Sequence, residues 1–190
     1  MVMTTGTPSG SDRGARILVE SALAIKAAVN LPLQGQCEPP GDAKWFTRMK
    51  EAGIDALGMH LEAVTPEVRA RIMPGKAQVS VEQYLEAFAD AVAVFGRGQV
   101  STYILAGLGD TPEAILSLSQ TLIGLGRLSV RRALCADQRY AAGAPSGAGQ
   151  PVYVLDFTTS GPDAEPGAFA LQRYQSRLRP LRRLLVALQL

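Results

Sequence analysis

Residues 101–113 read S-T-Y-I-L-A-G-L-G-D-T-P-E, a stretch that predicts a buried strand, a glycine turn and the start of a helix. Tyr103, Ile104 and Leu105 form the β-branched and aromatic run expected of a parallel strand that is covered on both faces. The T-P-E that follows the turn is typical of a helix N-terminus. Because ligands of α/β sheets and barrels bind where a strand's carboxyl end turns into its helix, we expect one wall of a small-molecule site here.

Two similar units precede this one along the chain. Residues 31–36 and 55–64 are predicted strands. The predicted helices span residues 14–29, 42–52, 66–73, 80–94 and 112–125. Strands that alternate with helices indicate a parallel sheet with right-handed crossovers, and about three strands are too few to close a barrel. The sequence therefore predicts an α/β fold with about three parallel strands and flanking helices, which is typical of the middle of a larger structure.

Length and composition restrict the function classes. The 190 residues, 47% of them hydrophobic, allow one domain with a core. We expect residues 1–13 to be disordered and residues 14–126 to form the α/β unit. The sequence has no signal peptide pattern and no apolar run of the ~18 residues that span a bilayer, so we expect a cytoplasmic protein that does not enter a membrane. Its two cysteines cannot form a disulfide framework or a complete thiolate metal site.

The C-terminal third has an unusual charge. Residues 127–190 contain nine arginines, no lysine and four acids, whereas residues 1–126 are net acidic. Such a segment would ordinarily indicate a partner such as nucleic acid or an acidic membrane. We expect neither partner, because the tail has another explanation, given below.

Three stretches together carry a resemblance to a known family. D-A-L-G-M-H-L-E-A-V at 55–64, then P-G-K-A with a capped helix, then Y-I-L-A-G-L-G-D-T-P-E at 103–113 resemble the radical SAM superfamily. The similarity is greatest to biotin-synthase-like members, and among them to the radical SAM proteins of nitrilase-associated gene clusters. It covers about residues 16–126, corresponding to the third, fourth and fifth strands of a six-stranded partial barrel. The resemblance therefore implies that residues 14–126 are a fragment of a (β/α) partial TIM barrel with about three parallel strands and flanking helices.

The resemblance implies a partial S-adenosylmethionine site, with the ribose near an acid of the fourth strand and the adenine against the fifth. The implied cofactor-binding residues are His60, Glu62, Leu105, Gly107, Gly109 and Asp110. Asp110 stands where the family's turn has glutamate. Cys37 and Glu38, at the end of the preceding strand, are candidates for the same cavity.

One departure from the family pattern concerns the [4Fe–4S] cluster. Full-length relatives hold this cluster through a C-x-x-x-C-x-x-C loop, which is absent from this sequence. We therefore expect no cluster in this chain and no radical chemistry. The residues needed for it would lie before residue 1.

The arginine-rich tail resembles the family only in another reading frame. Read one nucleotide later with GC-rich codons, residues 127–143 become V-Y-P-F-V-V-P-F-V-P-I-S-G-T-P-L-E, similar to the family's sixth strand. The same shift turns residues 178–189 into the cysteine-rich C-G-R-C-G-A-C-S-S-L-S-S. We expect residues 127–190 to be a frameshift product, atypical and largely irregular.

Structural roles remain open for the candidate residues. A single histidine on an apolar strand, such as His60, is more often a hydrogen-bonded interior residue than a catalyst. Glu62 could form a salt bridge with Arg69 or Lys76, and Cys37 could be an ordinary buried thiol.

Three functions stay under consideration. The first is a truncated, inactive radical SAM protein with part of a small-molecule pocket. The second is a non-catalytic half barrel that docks onto a complementary barrel fragment carrying the cluster. The third is an unrelated barrel enzyme, aldolase-like or metal-dependent, that uses His60 and Glu62.

Overall fold

The computed structural model describes residues 1–124, 129–136 and 152–158. Its strands are β1 (Val2–Thr4), β2 (Gln34–Gln36), β3 (Ala56–Gly58), β4 (Val100–Ala106), β5 (Ser129–Ala136) and β6 (Val152–Thr158). Its α-helices are α1 (Ala15–Ala28), α2 (Lys44–Glu51), α3 (Pro66–Ile72), α4 (Val81–Phe95) and α5 (Pro112–Gly124), and a 3-10 turn spans Lys76–Gln78. Strands and helices alternate from β1 to α5, so the predicted α/β fold with flanking helices is confirmed.

One mixed sheet contains all six strands, in the order β1-β2-β3-β4-β6-β5. The strands β1 to β4 are parallel, with Gly35 opposite both Met3 and Leu57, and with Leu57 opposite Val100. Because parallel strands end at the same edge of a sheet, the residues that follow β2, β3 and β4 lie near one another. This arrangement agrees with a fragment of a partial (β/α) barrel, with four parallel strands where the sequence predicted about three.

The helix starts follow local capping rules. The Ser80 hydroxyl accepts a hydrogen bond from the Gln83 backbone N–H at 3.2 Å, and the Gln83 side chain accepts one from the Ser80 N–H at 2.8 Å. This reciprocal pair is the capping box that the sequence predicts at the start of α4. The Thr111 hydroxyl accepts from the Ala114 N–H at 3.2 Å and so caps α5.

The core lies between the helices and one face of the sheet. Its large side chains include Phe46 and Met49 of α2, Phe88 of α4 and Ile104 of β4, each at most 1% exposed. We predicted that β4 is covered on both faces, but only alternate residues, such as Ile104, are buried. The other face of β4 is half-buried because it lines a cavity, described below.

Residues 1–13 were predicted to be disordered, and this is wrong for β1. The Met1 carbonyl accepts from the Gln34 N–H at 2.9 Å, and the Thr5 N–H donates to the Gln36 carbonyl at 3.1 Å. A three-residue strand is too short to show a period in the sequence, and its order comes from pairing with β2.

The third strand is shorter than the predicted 55–64. After Gly58 the chain leaves the regular ladder and returns to it only at Glu62, which forms an isolated bridge with Ile104. Glu62 has φ 66°, a left-handed conformation that an extended strand does not contain. The carboxyl end of β3 is therefore bent where the candidate site residues lie.

Two strands of the C-terminal third differ from the predicted irregular tail. The strand β6 pairs with β4 in antiparallel register, from Ser101 opposite Thr158 to Ala106 opposite Tyr153, and β5 pairs with β6. The V-Y-V-L-D-F-T of β6 is rich in β-branched and aromatic residues, which favour strands. The rest of residues 127–190 lies outside the described part of the chain. Within the described residues, no helix is long and apolar enough to cross a membrane.

Candidate functional site

A cavity of about 190 Å³ lies at the carboxyl ends of the parallel strands. Four predicted residues line it: Cys37, Glu38, His60 and Glu62. The other lining residues are Thr4, Gly6, Gln36, Lys76, Tyr84 and Tyr103. The β-strand topology thus brings together the residues that end β2 and β3, as expected for a parallel sheet.

The Glu62 carboxylate is held by two neighbours. The Lys76 ammonium donates to Oε1 at 2.5 Å, and the Tyr103 hydroxyl donates to the same oxygen at 3.3 Å. The salt bridge foreseen as a structural role for Glu62 is therefore formed with Lys76 and not with Arg69. About a fifth of each side chain of this pair is exposed, so the pair lies at the mouth of the cavity.

His60 lies flat against Tyr103, with ring centroids 4.0 Å apart and the planes inclined by 24°. Its Nδ1 atom is buried and has no hydrogen-bond partner. Burial, and secondarily the Lys76 charge, lower the pKa of His60 from 6.5 to about 4. The imidazole is therefore neutral near pH 7, and a neutral imidazole has one nitrogen that accepts and one that donates a hydrogen bond.

Cys37 and Glu38 directly follow β2 and line the cavity. Burial, and then the Glu38 charge, raise the pKa of the Cys37 thiol from 9.0 to about 12. Since the thiolate is the reactive form, Cys37 is a poor nucleophile and a poor metal ligand here. The Glu38 side chain is 2% exposed and accepts a hydrogen bond from Arg13 at 3.3 Å through Oε2. Its Oε1 atom has no partner.

Tyr84, on α4, also lines the cavity. Its side chain is fully buried, and its hydroxyl has no hydrogen-bond partner. The nearby Arg69 guanidinium lies 5.1 Å over the Tyr84 ring. Burial, and then the Glu38 charge, raise the pKa of Tyr84 above its ordinary value, which keeps the phenol protonated.

Arg69 is buried in α3 and donates to four backbone carbonyls. Its Nη1 donates to Leu61 at 2.7 Å and to Ala63 at 3.2 Å, and its Nη2 donates to Lys76 and Val79, both at 3.0 Å. These four bonds occupy the donors of both terminal nitrogens. Arg69 thereby ties the bent end of β3 to the loop that presents Lys76.

The residues predicted from the turn after β4 lie outside the cavity lining. Leu105 is on the same face of β4 as Tyr103 and is half-buried. Gly107 and Gly109 have φ values of 107° and 123°, which a side chain would strain. The Asp110 carboxylate accepts three hydrogen bonds: from the N–H of Val64 at 2.9 Å, and from the N–H and hydroxyl of Thr65 at 2.9 and 2.6 Å. Asp110 therefore fixes the two residues that lead into α3.

The sequence reasoning missed four contributors to the cavity. Lys76 entered it only as a structural partner of Glu62, while Tyr103, Tyr84 and Arg13 were not proposed at all. Tyr103 had a usable signal, because alternation along β4 places it on the face opposite the buried Ile104. Arg13 and Tyr84 reach the site through packing of distant segments, which no local pattern indicates.

The cysteines do not fit a [4Fe–4S] cluster. Such a cluster needs three thiolates from the protein, and the sequence has two cysteines. Cys37 is buried with a protonated thiol. Among the described residues, no three or more His, Cys, Asp or Glu side chains lie close enough together to hold a metal ion. In contrast, the polar side chains that line the cavity, among them Glu38, His60 and Glu62, offer hydrogen-bonding groups that suit a polar organic ligand.

Comparisons with known proteins agree with the family resemblance. Residues 1–122 match the profile of the Radical SAM superfamily. No curated protein matches the chain significantly. A solved structure of a candidate class I S-adenosylmethionine-dependent methyltransferase from Listeria monocytogenes is similar at 8% identity and a TM-score of 0.37, which is too low to inform the fold or the function. That match covers 98% of this chain and 64% of the methyltransferase. Because the family profile covers more than half of the 190 residues, the chain belongs to the radical SAM superfamily.

Proposed function

We propose that this chain binds the adenosine half of S-adenosylmethionine at the carboxyl ends of β2 to β4 and does not cleave it. Full-length members of the family use S-adenosylmethionine together with a [4Fe–4S] cluster. This chain has the strands that carry the nucleoside side of that site. It lacks the thiolates that carry the cluster side.

The observation that supports the proposal best is the convergence of polar groups at one strand edge. Cys37, Glu38, His60 and Glu62 line one cavity together with Tyr103. A planar surface for an adenine is available in the stacked rings of His60 and Tyr103. Carboxylates accept hydrogen bonds from ribose hydroxyls.

The absence of cleavage follows from the cysteine content. Reductive cleavage of the sulfonium requires one electron, which the cluster supplies in the family when it is bound. The cysteine content supports this part of the proposal, because the sequence has two cysteines, the cluster needs three thiolates, and the raised pKa of Cys37 keeps its thiol protonated. The roles left to them are to bind the nucleoside, to orient it and to exclude water from it. The tail at residues 127–190, interpreted as a frameshift product, would not restore the missing thiolates.

Two measurements on the purified chain test the proposal. Isothermal titration with S-adenosylmethionine and with adenosine should show one site, and anaerobic reconstitution with iron and sulfide followed by dithionite should release no 5′-deoxyadenosine. Formation of 5′-deoxyadenosine in an amount above the protein concentration would contradict the inactivity. Failure to bind either compound would contradict the pocket.

Glu62→Gln provides a variant with a matched control. It removes the charge that Lys76 neutralises and should weaken adenosine binding about tenfold, because a hydrogen-bonded charged group typically contributes ~1.5–3 kcal/mol. Glu51 is exposed on α2 and is not among the residues that line the cavity. Glu51→Gln should therefore leave the affinity unchanged.

A second candidate function, docking onto a complementary barrel fragment, is favoured by the edge strand β1. Within the described residues, the large exposed hydrophobic side chains lie on β1, on α1 and on the loop after α1. They are Met1, Val2, Ile17, Leu23, Val29 and Leu31, each 46–60% exposed. Edge strands with apolar neighbours pair readily with other strands. The proposed occupant is a strand–helix segment of a separate chain that carries the C-x-x-x-C-x-x-C loop.

Co-expression tests this docking. A polypeptide with that strand, loop and helix should co-purify with the chain and should be lost with Val2→Lys, which places a charge on the edge. Glu86→Lys, on the exposed face of α4, is the control and should retain the partner. Equal retention by both variants would refute docking at β1. We do not propose an unrelated barrel enzyme, because the chain belongs to the radical SAM superfamily.

A further inference from the structure

A second cavity, of about 390 Å³, is lined by residues of α2 and α4 and by the loops beside them. We call it the α2–α4 groove. It shares no lining residue with the cavity at the carboxyl ends of the strands. Phe46, Val79 and Ala87 line it and are buried, so the groove reaches down to the apolar core. Its volume is that of a site for a small molecule or for a few side chains of a peptide.

Two carboxylates of α4 line the groove without a cation beside them. Glu86 and Asp90 are exposed and four residues apart, so they lie on the same face of the helix and repel each other. Within the described residues, neither forms an ion pair. Arg13, the basic residue of the described lining, is bound at 3.3 Å to each of Glu38 and Gln78. The groove therefore presents an excess of negative charge over an apolar floor.

The chain itself contains a segment of complementary chemistry. Residues 173–190, which lie outside the described part, read R-Y-Q-S-R-L-R-P-L-R-R-L-L-V-A-L-Q-L, with five arginines, six leucines and no acid. Arginine binds carboxylates through a planar fork of donors, and its aliphatic stem covers apolar surface. The other stretches that the structure does not describe before β6, residues 125–128 and 137–151, contain one arginine each. Charge complementarity with the groove is therefore strongest for residues 173–190.

The groove lies within reach of this segment. The strand β6 ends at Thr158, opposite Ser101 near the start of β4, and α4 is the helix that leads into β4. The fourteen residues 159–172 can span about 45 Å at ~3.3 Å per residue, whereas a domain of this size is about 35 Å across. Tethering also gives the segment an effective concentration in the millimolar range, so that weak contacts are sufficient for binding.

We propose that residues 173–190 dock in the α2–α4 groove of their own chain, with arginines against Glu86 and Asp90 and leucines against the apolar floor. The inference goes beyond the proposed function, because the groove and the nucleoside cavity share no lining residue. It holds whatever the origin of the tail, since it depends only on the charge and apolar content of the segment. Neutralisation within the molecule agrees with the expectation that these arginines serve neither nucleic acid nor a membrane.

Limited proteolysis of the full chain with trypsin, which cleaves after arginine, tests the docking. Because a docked segment must be released before it is cut, cleavage within residues 173–183 should be about five- to tenfold slower in wild type than in the double variant Glu86→Lys/Asp90→Lys. High salt should reduce the protection of wild type, since exposed ion pairs are screened.

Glu20→Lys/Glu51→Lys is the matched control. It makes the same change in net charge at two exposed acids that do not line the groove, so the segment should stay protected. All four substituted positions are exposed, and the urea midpoints of both variants should remain close to that of wild type. Equal cleavage rates in wild type and in the groove variant would overturn the inference, as would an equal loss of protection in the control.

Photo-crosslinking of the full chain locates the segment independently of its stability. A benzophenone side chain introduced at Ala43, which is exposed and lines the groove, should form an intramolecular crosslink to residues 173–190, identified by mass spectrometry. The same group at Ala28, which is exposed at the end of α1 and outside the groove, should not. Crosslinks from Ala43 to a second copy of the chain, or to other segments only, would overturn the intramolecular docking.

Discussion

Asp110 is the predicted residue whose structural role can be separated most sharply from a role in ligand binding. Its carboxylate accepts hydrogen bonds from two backbone N–H groups and one hydroxyl of the segment Val64–Thr65. Asp110→Ala leaves these donors without a protein acceptor in the two residues just before α3. Loss of a hydrogen bond to a charged group costs ~1.5–3 kcal/mol.

The three bonds share one half-buried carboxylate, and water can replace part of what is lost. We therefore expect Asp110→Ala to lower the free energy of unfolding by about 2–3 kcal/mol, less than the sum of the three bonds. Asp110→Asn keeps one acceptor oxygen and should cost about half as much. With a urea m-value of ~1–3 kcal/mol/M, the midpoint of Asp110→Ala should fall by about 1–2 M.

Urea unfolding followed by circular dichroism measures this effect. Asp90, which is exposed on α4, provides the matched control, and Asp90→Ala should shift the free energy by less than about 0.5 kcal/mol. If Asp110→Ala were as stable as Asp90→Ala but bound adenosine less tightly, the structural role would be refuted and Asp110 would be a ligand-binding residue.

Three further predictions concern the ionisable groups of the cavity. The pKa of His60 is lowered to about 4 in the folded chain, so between about pH 6.5 and 4 the unfolded chain binds a proton that the folded chain does not. The free energy of unfolding should therefore fall as the pH drops through this range. Urea titrations of His60→Asn should show a smaller fall than those of wild type. Lys76→Met removes a charge that lowers the His60 pKa, so NMR titration of this single histidine should give a higher pKa than in wild type. In a Cys135→Ser background, the Cys37 thiol, with its pKa raised to about 12, should react with Ellman's reagent near pH 8 only after unfolding.

The sequence predicts the part of the site that depends on chain order. Parallel strands end at one edge, so Cys37, Glu38, His60 and Glu62 had to approach one another once β2 and β3 were recognised. The capping box at Ser80 was likewise local and was found. The capping box depends on residues close in sequence, and the convergence of the strand ends depends on a topological rule. Neither requires knowledge of how side chains pack.

Other features depend on contacts between distant segments. Asp110 directly precedes the predicted start of α5, yet its carboxylate binds Thr65 just before α3, 45 residues earlier in the chain. Tyr84 was predicted only to lie in a helix, residues 80–94, and it lines the cavity because α4 packs on the sheet. Propensities and periods contain no information on such pairs, because the partner is fixed only when the elements dock.

Arg69 gives the cavity a particular place in the folding of the chain. Its guanidinium joins the backbone of residues 61–63 to that of residues 76–79 through four hydrogen bonds. The loop that presents Lys76 is therefore anchored only while α3 is docked. Native-state hydrogen exchange should show the amides of α3 and of residues 76–79 opening as one cooperative unit. The pocket and this helix would then form and be lost together, which makes the site a reporter of local unfolding.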